Sequence, residues 1–245
     1  MAPPSREYVY GINPIFEVIR SGRRKVYEAY LNQAASGQPR VAKLAAVLEK
    51  HEVPVVWVDK QRLFELSRSK EHQGAVIKTA PYPYMTFDEL LGRPRLLMLD
   101  NVEDPTNLGA IIRSAEIFDF HDICLPRKGT PEIYPSVVKV SAGASEHLHI
   151  CRDRTANQYL KAALEEEYTV VALDGKGTTP LQALSAHTLD KLLLVIGGED
   201  KSVGQYILNE AHYVARIPMA GRVNSLNASV AAGIAMYCLH PDTTD

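Results

Sequence analysis

Short apolar runs alternate with segments in which apolar residues recur every three or four positions, and this alternation continues along most of the chain. The short runs predict strands, and the wider spacing predicts helices with one buried face. In the first part of the chain, strands are predicted at 26–32, 54–59 and 74–80. Helices are predicted there at 13–22, 39–52 and 62–68. Strands that alternate with helices indicate a small α/β structure that is complete by about residue 80.

The segment 81–95 has prolines near both of its ends and separates this part from a second alternation. Proline interrupts regular structure, so we predict a linker at 81–95 between a domain at 1–80 and a domain at 96–245. In the second domain, strands are predicted at 95–100, 122–126, 147–151, 169–174, 191–198 and 213–218. Helices are predicted at 108–119, 136–144, 156–167 and 204–211, and a last helix from Ser225 or Asn227.

The strands of the second domain are continuous runs of valine, isoleucine and leucine, which is typical of a parallel sheet covered on both faces. We therefore predict an α/β protein with a small N-terminal α/β domain and a larger parallel-sheet domain. Nothing in the pattern indicates a knot, and knots are rare enough that physical reasoning alone argues against one.

Composition and charge narrow the classes of protein. With 245 residues and 46% hydrophobic residues, the chain can bury one large core or two modest ones. The three cysteines lie far apart inside apolar runs, so neither a disulfide framework nor a metal site is indicated. The apolar runs are too short for a signal peptide core or a membrane span, and we expect a soluble, cytoplasmic protein.

Charge is distributed unevenly along the chain. Residues 1–95 carry 15 Lys and Arg against 10 Asp and Glu, whereas residues 96–245 carry 12 against 19. A basic first half is typical of a module that contacts phosphate groups, although surface solvation explains so small a surplus nearly as well. Arg23, Arg24 and Lys25 cluster before the strand at 26–32, and they are candidates either for RNA phosphate contacts or for a solvated turn.

Near the end of the chain, a strand that stops at Pro218 is followed by a short polar turn and a helix rich in small residues. Where a strand end meets a helix start, free backbone N–H groups and side chains such as Ser225 and Asn227 can bind a polar small molecule. The simpler interpretation is that Ser225 caps the helix and the alanines pack closely.

Three separated stretches together resemble one family. NVEDPTNLGAIIRSAEIF at 101–118, LLLVIGGED at 192–200 and RIPMAGRVNSLNASVAAGIAMY at 216–237 resemble, in order and spacing, the three motifs of the SpoU-type ribose 2′-O-methyltransferases of the SPOUT class. YGINPIFEVIRSG at 10–22 and HQGAVIKTAPY at 72–82 resemble the substrate-binding domain of the branch that methylates a guanosine ribose in large-subunit (23S) ribosomal RNA.

This resemblance implies S-adenosylmethionine as the methyl donor and large-subunit ribosomal RNA as the acceptor. It also implies a deep C-terminal trefoil knot and a homodimer formed through the knotted domain. No metal is implied.

Among the site residues, the resemblance makes Arg113 the catalytic arginine and Asn107 its positioning partner. Because residues six apart on a helix lie about 240° from each other, we expect Asn107 to precede the helix proper, so that both side chains reach one site.

The resemblance assigns the remaining site residues to the other two motifs. Glu199, Ser225 and Asn227 match catalytic-site positions. The backbone and side chains expected to hold the donor belong to Gly197, Gly198, Ile217, Met219 and Leu226, and Leu173 is a further candidate. The chain departs from the family pattern after Glu199, where Asp200, Lys201 and Ser202 precede Gly204 instead of Gly-x-Gly, so we expect a stiffer and more acidic loop there.

Two other functions fit the same sequence. The acceptor could be transfer RNA or another ribosomal nucleotide, as in resistance-type relatives, because only resemblance favours the large-subunit guanosine. Alternatively, the chain could be an RNA-binding or ribosome assembly factor that has lost donor binding, which the residues that replace the usual glycines after Glu199 suggest.

Overall fold

The structure is a computed structural model that describes residues 6–184, 189–199, 201–222 and 225–240. The chain forms two compact units. The first contains the described residues up to Pro83 together with Ile133–His147. The second contains Tyr84–Glu132 and the described residues from Leu148 onward.

Regular structure occupies most of the described residues. The strands are β1 (Glu7–Tyr10), β2 (Val26–Asn32), β3 (Val55–Val58), β4 (Ala75–Thr79), β5 (Arg95–Asp100), β6 (Asp122–Cys124), β7 (His149–Cys151), β8 (Thr169–Leu173), β9 (Thr179–Pro180), β10 (Leu192–Gly197) and β11 (Tyr213–Arg216). The α-helices are α1 (Ile12–Ser21), α2 (Pro39–Lys50), α3 (Lys60–Ser67), α4 (Phe87–Leu90), α5 (Pro105–Ile117), α6 (Pro135–Val140), α7 (Ala156–Glu165), α8 (Leu181–Leu184), α9 (Gln205–Glu210) and α10 (Ala228–Leu239). Short 3-10 helices lie at Gln33–Ala35 and Ala144–His147.

The first unit is built on a sheet with the strand order β1-β4-β2-β3, in which β2 and β3 run parallel and the other pairs are antiparallel. Helix α1 forms because Ile12, Ile15, Val18 and Ile19 recur at helical spacing and are all buried. It ends at Gly22, whose φ of 63° lies in the left-handed region that suits a helix C-terminus. The small α/β first domain predicted from the sequence is confirmed in its strands β2, β3 and β4.

The second unit is built on a parallel sheet that has, within the described residues, seven strands in the order β7-β6-β5-β10-β8-β11-β9. Its strands are nearly continuous apolar runs, and β5, β8 and β10 are buried along almost their whole length because helices cover the sheet. The α/β prediction with a parallel-sheet domain is therefore confirmed.

The strand order of this sheet positions the site. From β5 the chain moves outward through β6 to β7, and then crosses to place β8, β10 and β11 on the other side of β5. In open parallel sheets, ligands bind outside the carboxyl ends of the strands where the order reverses. The carboxyl ends of β5, β8, β10 and β11 are thus the part of the fold where a ligand site is expected.

Three local predictions differ from the structure. The segment 81–95 is not irregular throughout, because Thr86 and Glu89 form a reciprocal capping box that starts α4. The helix predicted at 136–144 ends at Val140, because Ala142 and Gly143 take positive φ angles of 56° and 94° that reverse the chain. Strand β1 was not predicted, and it forms by antiparallel pairing with β4.

Two other predictions stay open. The division into domains at 1–80, 81–95 and 96–245 stays a prediction. The segment Ile133–His147 clusters with the first compact unit although it lies far along the chain. The trefoil knot also stays a prediction, and residues 200, 223 and 224 of the motif loops lie outside the described residues. Among the helices described, none is long and apolar enough to cross a membrane.

Candidate active site

A cleft of about 200 Å³ opens at the carboxyl ends of β8 and β10, beside the first turn of α10. All six residues predicted to hold a donor molecule line it: Leu173, Gly197, Gly198, Ile217, Met219 and Leu226. Glu199 and Ser225 line it as well. The second and third motifs and the end of β8 therefore meet at one concave surface.

The packing of the protein's own backbone requires glycine at positions 197 and 198. A Cβ atom on Gly197 would lie 2.5 Å from the backbone nitrogen of Val203, and one on Gly198 would lie 1.9 Å from the carbonyl oxygen of Asn101. Neighbouring backbone thus occupies the space of any side chain at either position. Both glycines also line the cleft, and their contact with a donor stays a prediction.

Asn227 joins the three motifs through hydrogen bonds. As the N-cap of α10, its Oδ1 accepts hydrogen bonds from the backbone N–H groups of Ser229 and Val230. Its Nδ2 donates to Oδ1 of Asn107 at 3.0 Å and to Oε1 of Glu199. The same Glu199 oxygen accepts the backbone N–H of Ala228 at 3.3 Å. Residues from all three motifs thus form one polar cluster at the cleft.

Asn107 lies inside the helix, so the expectation that it precedes α5 is wrong. Helix α5 begins at Pro105 with Asp104 as its N-cap, and Asn107 is buried in the first turn. Arg113 is exposed on the same helix and does not line the cleft. Six helical positions place the two side chains about 240° apart. The chain therefore brings Asn107, Glu199, Ser225 and Asn227 to one site and leaves Arg113 on another side of α5.

A second, polar cavity of about 290 Å³ adjoins the first. It is lined by Asn101, Glu103, Asp104, Asn107 and Lys201, and it shares Gly198, Glu199 and Ala228 with the first cleft. Glu199 therefore stands at the boundary of two cavities. Such a boundary can bring a small molecule on one side next to a polar acceptor on the other.

Ser202 and Asp174 also line the first cleft, and neither is among the donor-binding residues that the resemblance implies. The hydroxyl of Ser202 donates to Oδ2 of Asp174, and both side chains line the cleft. Asp174 directly follows β8, and a polar residue just after a buried parallel strand is the signal that points to such a position. Asp200, the other departure from the family pattern, lies outside the described residues.

The three basic residues of the first unit, Arg23, Arg24 and Lys25, differ in burial. The Arg24 side chain is fully buried and pairs with Glu7 at 2.7 Å and with Glu146. It has no exposed face for a phosphate, so its prediction as an RNA contact is corrected here. Arg23 is half-buried and donates to the carbonyl oxygens of Pro83 and Glu146, and Lys25 is exposed. For Arg23 and Lys25 the RNA contact stays a prediction.

No group of three or more His, Cys, Asp or Glu side chains among the described residues is arranged to hold a metal ion. Nδ1 of His149 lies 3.0 Å from Oδ1 of Asp122, which accepts the hydrogen bond, and Nε2 of His147 lies 2.9 Å from Oε2 of Glu17.

Comparison with known proteins identifies the family. Residues 94–237 match the SpoU rRNA methylase family, and residues 8–85 match the RNA 2′-O-ribose methyltransferase substrate-binding family. A relative from Bacillus subtilis (strain 168), named as the putative TrmH family tRNA/rRNA methyltransferase YacO, is 32% identical over 240 residues, which covers 94% of each chain.

Solved structures share the fold over nearly the whole chain. An AdoMet-bound rRNA methyltransferase from Sinorhizobium meliloti matches with a TM-score of 0.79 and 23% identity, covering 96% of this chain and 87% of that one. The SpoU methyltransferase AviRb from Streptomyces viridochromogenes, in complex with AdoMet, matches with a TM-score of 0.78 and 24% identity, covering 96% and 89%. Since the family match spans more than half of the chain, the protein belongs to the SpoU rRNA methylase family of RNA 2′-O-ribose methyltransferases.

Proposed function

We propose that this protein transfers a methyl group from S-adenosylmethionine to the 2′-hydroxyl of a guanosine ribose in large-subunit ribosomal RNA, in the cytoplasm. The observation that carries the proposal is the hydrogen-bonded cluster of Asn107, Glu199 and Asn227 between two adjoining cavities. The family match and the substrate-binding match over residues 8–85 support the same activity.

The first cleft fits a donor of this kind. Apolar side chains of Leu173, Ile217, Met219 and Leu226 can pack against an adenine ring, and backbone groups at the strand ends can hydrogen-bond its polar edge. The carboxylate of Asp174 also lines this cleft and can accept hydrogen bonds from the hydroxyl groups of the donor. When bound, S-adenosylmethionine supplies a methyl group on a positively charged sulfur. The residues of the chain hold the two reactants in line, which lowers the barrier by removing motional freedom.

The second cavity receives the acceptor ribose in this proposal. Asn107 and Glu199 present amide and carboxylate oxygens there, and Asn227 fixes both side chains. The proton of the 2′-hydroxyl passes to solvent as the methyl group is transferred and the donor leaves as a neutral thioether. Arg113 stabilises the negative charge that develops on the 2′-oxygen, because arginine keeps its own proton and acts through charge. No metal is needed for this displacement.

The exposed position of Arg113 supports a homodimer formed through the second unit. Helices α5 and α10 border an open groove lined mainly by apolar side chains, in which Val230 is 49% and Tyr237 is 67% exposed. A second copy of the chain covers this groove, since large exposed apolar patches mark interaction surfaces. The dimer brings α5 of one copy next to its partner, so that Arg113 completes a site framed by both subunits.

The test compares ribosomal RNA from cells with and without the gene, by mapping ribose methylation at every nucleotide. Loss of one 2′-O-methyl mark, restored by the wild-type gene but not by an Arg113→Ala gene, is the expected result. Purified protein, labelled S-adenosylmethionine and unmodified RNA provide the direct assay. Unchanged ribosomal RNA together with methylated transfer RNA would move the acceptor to transfer RNA, which the name of the Bacillus subtilis relative includes.

A non-catalytic RNA-binding role is tested separately. Calorimetry with S-adenosylmethionine at millimolar concentration distinguishes it, because an assembly factor without donor binding gives no heat. Sedimentation of wild-type protein and of Tyr237→Glu protein tests the dimer. We expect the substitution to yield monomers with little activity, and an active monomer would contradict the shared site.

A further inference from the structure

A two-residue turn at the end of β5 contacts the loop that follows β10. Asp100 ends β5, and Asn101 takes a φ of 58°, which turns the chain sharply toward the first motif. The loop after β10 carries Glu199 and three further residues of the two cavities, Gly198, Lys201 and Ser202. None of the site assignments above gives Asp100 a role.

The turn holds this loop at three places. The backbone N–H of Gly198 donates to the carbonyl oxygen of Asp100 at 3.0 Å, on one side of Glu199. On the other side, the N–H of Gly204 donates to the Asp100 carboxylate at 2.8 Å. Between them, Nδ2 of Asn101 lies 3.4 Å from the carbonyl oxygen of Ser202. Asp100 therefore binds the loop before and after Glu199.

The carboxylate of Asp100 is in an unusual place for a charged group. The residue is only 6% exposed, and burial raises its pKa although the Gly204 N–H partly offsets this. Within the described part of the chain, the Asp100 carboxylate accepts one hydrogen bond, and burying a carboxylate with so few partners is costly. An aspartate retained at such a cost, in contact with a loop that forms two cavities, indicates a role in the site.

We infer that Asp100 is a positioning residue for methyl transfer, which sets the loop so that Glu199 faces Asn227 and the walls of both cavities keep their shape. This inference rests on the proposed function. Glu199 itself is exposed, and its contacts with Asn227 and Ala228 fix only the tip of its side chain. Its backbone is held from the β5 side by Asp100.

The variant Asp100→Ala removes the carboxylate, and Asp100→Asn keeps an oxygen acceptor for Gly204. Asp153→Ala is the matched control, because Asp153 lies just after strand β7 of the same sheet and accepts the N–H of Phe87 at 3.1 Å, at the start of another helix. Melting temperature, donor Kd by calorimetry, and kcat and KM for both substrates are measured for each protein. Amide hydrogen exchange of residues 198–204 is measured with and without donor.

For Asp100→Ala we expect donor Kd to rise and kcat/KM to fall by about 10-fold to 100-fold, with faster exchange in residues 198–204. Asp100→Asn should stay within about 3-fold of wild type, since hydrogen bonding rather than charge is required. Asp153→Ala should lose melting temperature but keep the wild-type donor Kd and kcat/KM. Wild-type kinetics and exchange in folded Asp100→Ala protein would overturn the inference, as would an equal loss of donor binding in Asp153→Ala.

The same set of measurements separates this inference from the proposed function. If wild-type protein methylates no RNA, the proposed function fails, whereas the exchange data still report whether Asp100 holds the loop. If wild-type protein is active and the loop of Asp100→Ala exchanges like that of wild type, only the role of Asp100 fails.

Discussion

Arg24 in the first unit and Arg113 in the second occupy opposite surroundings. Arg24 is fully buried, donates to the carboxylates of Glu7 and Glu146, and lies 4.9 Å from the centre of the Tyr82 ring. Arg113 is exposed, and no hydrogen bond or ion pair joins it to any residue that the structure describes. The sequence makes both arginines candidates for functional contacts.

The difference shows how the two charges are used. Burial alone would lower the pKa of the Arg24 guanidinium, but the neighbouring Glu146 and Glu7 outweigh it and raise that pKa. A guanidinium whose donors are satisfied inside the fold contributes to stability and offers little to a ligand. A guanidinium without a described partner, on a helix that also carries a site residue, remains available for a negative charge supplied from outside.

The largest effect is expected from Arg24→Met. It leaves the fully buried carboxylate of Glu146 and the partly buried carboxylate of Glu7 without their cation, so the free energy of unfolding should fall by about 3–5 kcal/mol. Urea unfolding measures it. The triple variant Arg24→Met, Glu146→Leu and Glu7→Gln should recover most of the loss, because apolar replacement of a buried ion cluster is often neutral.

Arg20→Ala is the control for this prediction, because the Arg20 side chain is 63% exposed in its pair with Glu17. An exposed pair of this kind contributes about 1 kcal/mol or less. If Arg24→Met protein unfolded at the same urea concentration as Arg20→Ala protein, the structural role of Arg24 would be refuted.

For Arg113→Ala we expect a loss of activity without a loss of stability. Its removal should lower kcat by about 10²-fold to 10³-fold, as for loss of one group that stabilises an oxyanion, with no change in unfolding free energy. Arg113→Lys should recover part of the rate, since the charge is kept and the planar fork is lost. Methyl transfer to RNA is the assay, with Lys161→Ala as control because Lys161 is an exposed cation on α7. Full activity of Arg113→Ala would remove Arg113 from the mechanism.

The sequence contained enough local information for most of the fold. The predicted strand at 26–32 matches β2, and the helix expected from Ser225 or Asn227 is α10 with Asn227 as its N-cap. Both have signals within a few residues, namely an apolar run and a capping side chain. The site cluster was also predictable, because motifs that end strands of one parallel sheet meet at one edge.

What the sequence could not provide depends on distant partners. Glu146 lies 122 residues beyond Arg24, and nothing near Arg24 distinguishes a buried arginine from a surface one. Gly198 is required by the backbone of Asn101, which is likewise remote along the chain. Strand β1 is four residues long and forms through pairing with β4. In each case the deciding contact is absent from the local pattern.

A smaller effect is expected at Asn227, which both caps helix α10 and bonds two other site residues. Asn227→Ala and Thr155→Ala each remove an N-cap side chain, at α10 and α7, and each should cost about 1 kcal/mol of unfolding free energy. Only Asn227 also bonds Asn107 and Glu199, so only its variant should lose kcat/KM, by about 10-fold or more. Equal activities in the two variants would make Asn227 an ordinary cap.

The smallest effect concerns His72, a buried group of the first unit that is only half satisfied. Its Nδ1 accepts the N–H of Gly74 at 3.0 Å, and its Nε2 is buried without a hydrogen-bond partner among the described residues. Burial, with a contribution from Lys60, lowers the pKa of His72 below its ordinary value of 6.5. The neutral ring is therefore the folded form, and protonation of Nδ1 would break the bond to Gly74.

Because the unfolded chain takes up this proton at a higher pH than the folded one, His72 contributes its stability above about pH 6.5 and loses it as the pH falls toward the lowered folded pKa. His72→Asn keeps an oxygen acceptor for Gly74 and cannot titrate. As the pH falls, the free energy of unfolding should therefore decrease more for wild type than for this variant. Urea unfolding from about pH 5 to about pH 8 measures it. His51→Asn, at an exposed position just after α2, should follow wild type. A wild-type curve parallel to that of His72→Asn would show that the His72 ring takes up its proton at the same pH in the folded and unfolded states, and would contradict the prediction.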